Sequence, residues 1–71
     1  MPIATIQIVA GRDAAKKRKL MAAVTEAIAS SLDAPIDSVK VIVHEIPADL
    51  WSTGGQTVAE KKTGREGNER A

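Results

Sequence analysis

The chain contains 71 residues with no cysteine, one aromatic residue and a formal net charge of +1. This length fits one domain, and the lack of cysteine excludes a disulfide framework or a cysteine-ligated zinc ion. No apolar run approaches the ~20 residues of a membrane helix and no secretory signal opens the sequence, so we expect a cytoplasmic protein without a membrane partner.

The first half of the sequence predicts a strand followed by a helix. In residues 2–9, Ile6 and Ile8 share one face of an extended chain. Asp13 can cap a helix over residues 14–32, because its carboxylate can accept hydrogen bonds from the free N–H groups of the first turn. An apolar stripe with spacings of three and four residues is typical of an amphipathic helix. Its members are Leu20, Val24, Ala27, Ile28 and Leu32.

The second half predicts another strand and a hairpin. Residues 39–46 have an apolar centre, which suggests burial on both faces of the strand. A strand, a helix and a strand in this order form a β-α-β unit, whose two strands run parallel. Gly54 and Gly55 indicate a tight turn in a small hairpin within residues 50–58. The predicted fold class is therefore α/β.

The predicted domain needs partners. It covers residues 1–60, and we expect the charged residues 61–71 to form a mobile tail. A two-stranded sheet with one helix leaves both sheet edges and one face open. A domain of ~60 residues buries only ~60% of its unfolded surface. With disulfides excluded, oligomerisation is the expected source of further burial.

Pro2 is the most informative residue of the sequence. Initiator methionine is normally removed before a small residue such as proline, and the proline nitrogen then becomes a secondary amine. An α-amino group has a reference pKa of ~7.7–8.0, and burial and nearby cations both lower that pKa. Pro2 is therefore a candidate general base, provided that Met1 is removed. The alternative is that the Met-Pro start has no catalytic role.

Several short segments together resemble the 4-oxalocrotonate tautomerase family over residues 2–60. They are Pro2-Ile3-Ala4, Gly11-Arg12, Ser31-Leu32-Asp33-Ala34-Pro35, Ser38-Val39-Lys40-Val41-Ile42 and Gly54-Gly55. The resemblance implies a β-α-β subunit assembled as a hexamer, a trimer of dimers. It also implies an amino-terminal proline as acid/base catalyst, with active sites built at subunit boundaries.

The resemblance assigns roles to three further residues. Arg12 falls on the family's carboxylate-binding arginine, whose planar fork can hold a carboxylate with two hydrogen bonds. Trp51 falls on an aromatic position, usually phenylalanine, that walls the pocket near the proline, and Ile3 is expected to line the same pocket. Such a wall excludes water and keeps the amine pKa low. The alternatives are a solvated loop arginine and a tryptophan that only packs at an interface.

Lys40 is the main departure from the family pattern. The family carries a second arginine there, which a neighbouring subunit contributes to the site. Lysine keeps the charge but loses the rigid fork. Lys40 could perform the same task less well, the substrate could differ, or a different partner chain could supply the arginine. A strand lysine that points to solvent is the remaining alternative.

The resemblance implies a tautomerase for 2-hydroxydienoate or 2-oxo acid substrates of the 2-hydroxymuconate type. Pro2 would act as base and then as acid, so no metal or organic cofactor is expected, and His44 has no second histidine with which to share a metal. One alternative is a non-catalytic or partner-dependent subunit of a hetero-oligomer. Another is nucleic-acid binding through Lys16–Lys19. It is disfavoured because these residues spread around the helix and no aromatic residue lies among them for base stacking.

Overall fold

The structure is a computed structural model that describes residues 1–63. It confirms the predicted β-α-β unit and the hairpin that follows it, and adds a short helix after the hairpin. The elements are β1 (Ile3–Val9), α1 (Ala14–Leu32), β2 (Lys40–Ile46), β3 (Ser52–Thr53), β4 (Gln56–Thr57) and α2 (Val58–Thr63). Single turns of 3-10 helix, Ile36–Ser38 and Ala48–Leu50, stand before and after β2.

Helix α1 begins and ends where short-range chemistry requires it. The backbone N–H of Lys16 donates to Oδ1 of Asp13 at 2.9 Å, which confirms the predicted cap. At the other end, Asp33 adopts a left-handed conformation with φ of 55°, and its N–H donates to the carbonyl of Ala29. The N–H of Ala34 donates to the same carbonyl at 3.0 Å. These bonds satisfy a carbonyl that the end of the helix leaves without an intrahelical donor.

Strands β1 and β2 form a two-stranded parallel sheet. Their register runs from Ile3 opposite Lys40 to Val9 opposite Ile46. Helix α1 covers one face of this sheet, where Ala4, Ile6, Ile8, Val41 and Val43 are half-buried. An ion pair of 2.8 Å between Nζ of Lys17 and Oε2 of Glu45 joins the helix to β2. Both partners are partly exposed, so the pair adds little to stability beyond fixing the position of the helix.

The other face of the sheet is open to solvent. It carries Ile3, Thr5, Gln7 and Val9 from β1 and Lys40, Ile42, His44 and Ile46 from β2. The expectation that β2 is buried on both faces is wrong for the single chain, because Ile42 is 46% exposed. None of residues 1–62 is fully buried. The single chain thus leaves exposed isoleucines among polar side chains on this face of the sheet.

The buried stripe of α1 differs in part from the prediction. Leu20, Val24 and Ile28 are half-buried as expected. Met21 and Thr25 are also half-buried. Ala27 and Leu32 were also expected on the stripe but are exposed, Leu32 by 63%. Helix α1 has 19 residues and is about 28 Å long, whereas the seven-residue strands are about 20 Å long, so the last turn with Leu32 extends past the sheet.

The hairpin is a two-glycine turn, as predicted. Ser52 pairs with Thr57 and Thr53 pairs with Gln56 in antiparallel register. Gly54 and Gly55 both adopt positive φ, 63° and 86°, in the left-handed region that a tight primed turn requires and that glycine adopts without a steric cost.

Helix α2 corrects the expected start of the tail. Residues 61–63 belong to a helix that begins at Val58 and not to the mobile tail expected from residue 61. The helix starts with a reciprocal cap. Thr57 N–H donates to Oε1 of Glu60 at 2.9 Å, and Glu60 N–H donates to Oγ1 of Thr57 at 3.0 Å. The remainder of the expected tail, residues 64–71, lies outside the described residues.

Candidate active site

The amino end of the sheet brings together Pro2, Ile3 and Lys40. The backbone N–H of Lys40 donates to the carbonyl of Pro2 at 3.0 Å, and Lys40 stands opposite Ile3 in the register. Paired residues of a parallel sheet point to the same face, so the side chains of Ile3 and Lys40 both leave the open face. Pro2 is half-buried and Ile3 is 60% exposed. A cation and an apolar side chain therefore stand beside the proline.

The carboxyl end of the sheet holds Arg12. Strand β1 ends at Val9, and Gly11 with φ of 133° turns the chain toward α1. Nη1 of Arg12 donates to the carbonyl of Val9 at 3.0 Å, which ties the guanidinium to the strand end. This bond uses part of the donor fork and leaves the other N–H groups available for a carboxylate. Arg12 lines an open depression of about 400 Å³.

Trp51 also lies at the carboxyl end. Its carbonyl accepts a hydrogen bond of 2.9 Å from the N–H of Val58, so the segment before the hairpin is fixed to the start of α2. The half-buried Trp51 lines a second open cavity of about 390 Å³. The other lining residues are Gln7, Ile46, Leu50 and Ser52. Trp51 therefore contributes an aromatic wall on the side of the sheet that α1 leaves open.

The predicted site residues form two groups at opposite ends of one chain. Seven residue pairs separate these ends, and a rise of about 3.3 Å per residue makes the sheet about 20 Å long. A small conjugated acid cannot touch Pro2 and Arg12 of the same chain across that distance. A site that uses both residues therefore needs the amino end of one chain beside the carboxyl end of another.

Two residues that were not among the predicted site residues line these cavities. Gln7 lies in the cavity with Trp51, and Lys62 lies in the depression with Arg12. Lys62 was overlooked because it belonged to the expected tail. The pattern Thr57-Val58-Ala59-Glu60 is a capping-box signature and would have predicted the helix that carries Lys62.

Other candidate features gain no support from the geometry. His44 is exposed on the open face opposite Gln7, and no group of three potential metal ligands comes together within residues 1–63. Within the same residues, no helix has both the length and the apolar character needed to cross a bilayer.

Comparison with known proteins places this fold in one family. The family model described as "Tautomerase enzyme" matches residues 2–61. The 2-hydroxymuconate tautomerase of Stutzerimonas stutzeri is 47% identical over 57 residues, which cover 80% of this chain and 90% of that protein. The 2-hydroxymuconate tautomerase of Pseudomonas sp. (strain CF600) is 40% identical over 60 residues, covering 84% and 95% of the two chains.

A solved structure shows the same architecture. A chain of the heterohexamer 4-oxalocrotonate tautomerase of Chloroflexus aurantiacus J-10-fl superimposes with a TM-score of 0.82 at 33% identity, covering 84% of this chain and 97% of that one. The fold and its relatives define a small isomerase that acts as a tautomerase. The chain belongs to the tautomerase enzyme family.

Proposed function

We propose that this chain catalyses keto-enol tautomerisation of a 2-hydroxydienoate of the 2-hydroxymuconate type, with Pro2 as the acid/base residue. The substrate class is supported by relatives of nearly the same length that are named 2-hydroxymuconate tautomerases. The observation that supports the site is the division of candidate residues between the two sheet ends, Pro2 with the cation of Lys40 at one end and the guanidinium of Arg12 with the aromatic wall of Trp51 at the other.

The proposed reaction is an isomerisation that moves one proton from an oxygen atom of the substrate to a carbon atom. The neutral amine of Pro2 takes the proton from the dienol hydroxyl, and the electrons of the conjugated system move to form the carbonyl. The protonated Pro2 then returns a proton to a carbon further along the chain. One residue thus serves as general base and then as general acid, and the reaction needs no metal or organic cofactor.

The remaining residues would position the substrate and stabilise its charge. Arg12 of an adjacent chain would hold the distal carboxylate with the donors that the carbonyl of Val9 leaves free. Lys40 would stabilise the negative charge that develops at the carbonyl oxygen. Trp51 and Ile3 would wall the pocket and exclude water, which favours the neutral form of the amine.

The proposal requires removal of Met1, since the nitrogen of Pro2 is an amide while Met1 is attached. Met1 is 81% exposed and therefore accessible to an aminopeptidase. Intact mass measurement of the purified protein gives the state of the amino terminus directly.

The proposal also requires an oligomer. The exposure of Ile3 and Ile42 on the open sheet face supports association, and a hexamer of three dimers is the arrangement that the family resemblance implies. The Chloroflexus relative is a heterohexamer, so a second, similar chain remains a specific alternative to a homohexamer. The family match favours an enzyme over the non-catalytic subunit. We place its activity in the cytoplasm.

Ultraviolet-monitored ketonisation of 2-hydroxymuconate tests the substrate and the catalyst together. We expect rapid turnover by the protein that lacks Met1 and loss of turnover when Pro2 is replaced by alanine. Turnover that is equal in the two proteins would contradict the role of Pro2. No turnover by an assembled, Met1-free protein would contradict the substrate assignment.

A further inference from the structure

The depression that holds Arg12 contains a second cation. Its lining residues are Val9, Ala10, Gly11, Arg12, Val58 and Lys62. Neither Arg12 nor Lys62 takes part in an ion pair with another described residue, because the ion pair found within residues 1–63 joins Lys17 to Glu45. No carboxylate of the described residues lines the depression. Among residues 1–63, the site thus presents two positive charges and apolar side chains without a counter-charge, an arrangement that attracts an anion.

Local structure fixes the side of α2 from which Lys62 projects. Val58 and Lys62 are four residues apart and therefore share one helix face, and both line the depression. The N–H of Val58 is bonded to the carbonyl of Trp51 at 2.9 Å, and the Thr57–Glu60 cap sets where the helix begins. Lys61, one residue earlier, does not line the depression. The orientation of α2 thus distinguishes two adjacent lysines.

Arg12 and Lys62 offer different donors to an anion. The guanidinium of Arg12 is anchored by its bond to the carbonyl of Val9, so its remaining donors have a fixed direction. Lys62 is exposed, and its ammonium is a mobile point charge on a flexible stem. A carboxylate held by the fixed fork can therefore gain a second cation without a change in the position of Arg12.

We propose that Lys62 is a specificity-determining residue that joins Arg12 in binding the distal carboxylate of the substrate. The pair selects conjugated dicarboxylates over monocarboxylates of the same length. This inference rests on the proposed function for the identity of the substrate, but the binding of a dicarboxylate at the depression can be measured without turnover.

Two inert probes separate the distal carboxylate from the rest of the molecule. Muconate and sorbate are conjugated six-carbon acids with two carboxylates and one, respectively, and neither carries the hydroxyl that ketonises. Isothermal titration of each into the assembled, Met1-free protein compares Lys62→Gln with the matched control Lys61→Gln. We expect Lys62→Gln to weaken muconate binding about two- to five-fold, the range for an exposed ion pair, and to leave sorbate binding unchanged. Lys62→Arg retains the preference, and high salt reduces it.

Three results would overturn the inference: muconate does not bind, Lys62→Gln binds muconate as tightly as the unchanged protein, or Lys61→Gln weakens binding equally. A kinetic comparison separates this inference from the proposed function. If muconate binding depends on Lys62 but 2-hydroxymuconate is not turned over, the proposed function fails and the inference stands. If turnover is rapid and the preference for a dicarboxylate does not change in Lys62→Gln, the inference alone fails.

Discussion

The two ends of the β1–β2 sheet position their functional residues by different means. At the amino end, the backbone bond from Lys40 to Pro2 and the strand register place the proline. At the carboxyl end, the placement depends on a side-chain bond from Arg12 to Val9 and on the attachment of Val58 to Trp51. The proposed acid/base residue is thus positioned by the common scaffold, whereas the proposed carboxylate-binding end is positioned by short local contacts that single substitutions can change.

This difference predicts that changes at the amino end mainly affect the chemical step and that changes at the carboxyl end mainly affect substrate binding. Substitutions at the two ends, in order of expected effect, test whether the two roles separate.

Replacement of Pro2 is expected to have the largest effect. Pro2→Ala replaces the pyrrolidine nitrogen with the primary α-amine of alanine and should lower kcat about 10²-fold, the lower end of the range for general acid/base catalysis, with a smaller effect on KM. Ketonisation kinetics measure both constants. Pro35→Ala is the matched control, because Pro35 lies at an exposed position between α1 and β2 and should leave kcat unchanged. A kcat that falls equally in both variants would show that the loss is not specific to the amino terminus.

Replacement of Arg12 should weaken substrate binding. Arg12→Ala removes charge-assisted hydrogen bonds worth about 1.5–3 kcal/mol, so KM for a dicarboxylate should rise about 10- to 100-fold. Steady-state kinetics with 2-hydroxymuconate measure the change. Arg18→Ala, an exposed change on α1, should leave KM unaltered. An unchanged KM in Arg12→Ala would remove Arg12 from the substrate-binding site.

Substitutions of Lys40 test whether lysine in place of the family's arginine lowers catalytic efficiency. Lys40→Ala should lower kcat/KM about 10-fold through loss of a charge near the reacting oxygen, and Lys40→Arg should retain or raise kcat/KM because it restores the fork. The same assay compares the two variants. If Lys40→Ala is as active as the unchanged protein, Lys40 is a solvent-exposed strand residue or a partner chain supplies the cation.

Removal of the cap of α2 should have the smallest effect of these substitutions on activity. Thr57→Ala removes the side-chain acceptor for the N–H of Glu60, and loss of a helix cap costs about 1 kcal/mol. Urea unfolding should show that loss as a lower midpoint. The preference for dicarboxylates should fall as well, because the cap helps to position Lys62. Thr57→Ser, which keeps the acceptor, should behave as the unchanged protein; equal losses in both variants would contradict the role of the cap.

Local signals in the sequence predicted most of the fold. Asp13 predicted the start of α1, and Gly54-Gly55 predicted the hairpin, because each feature depends on chemistry within a few residues. The exposure of Ile42 and Leu32 could not be predicted from neighbouring residues. It depends on which parts of the sheet and of the helix the rest of the chain covers. Helix α2 was missed although its signal, the Thr57–Glu60 capping box, is local.

The candidate site was predictable as a set of residues but not as an arrangement. Composition and spacing cannot assign Arg12 and Pro2 to different chains. The bounds of β1 support the proposal that they come from different chains, because a seven-residue strand separates the two residues by more than a small substrate spans. Lys62 was not predicted as a site residue because the segment that carries it was expected to be mobile.

Subunit complementation tests the central claim, that one active site combines Pro2 of one chain with Arg12 of another. Pro2→Ala and Arg12→Ala are co-refolded as an equal mixture and assayed for ketonisation of 2-hydroxymuconate. Random assembly should restore about one quarter of the unchanged activity, because some sites then combine an intact Pro2 with an intact Arg12 across an interface. Activity no higher than the average of the two variants alone would contradict the claim.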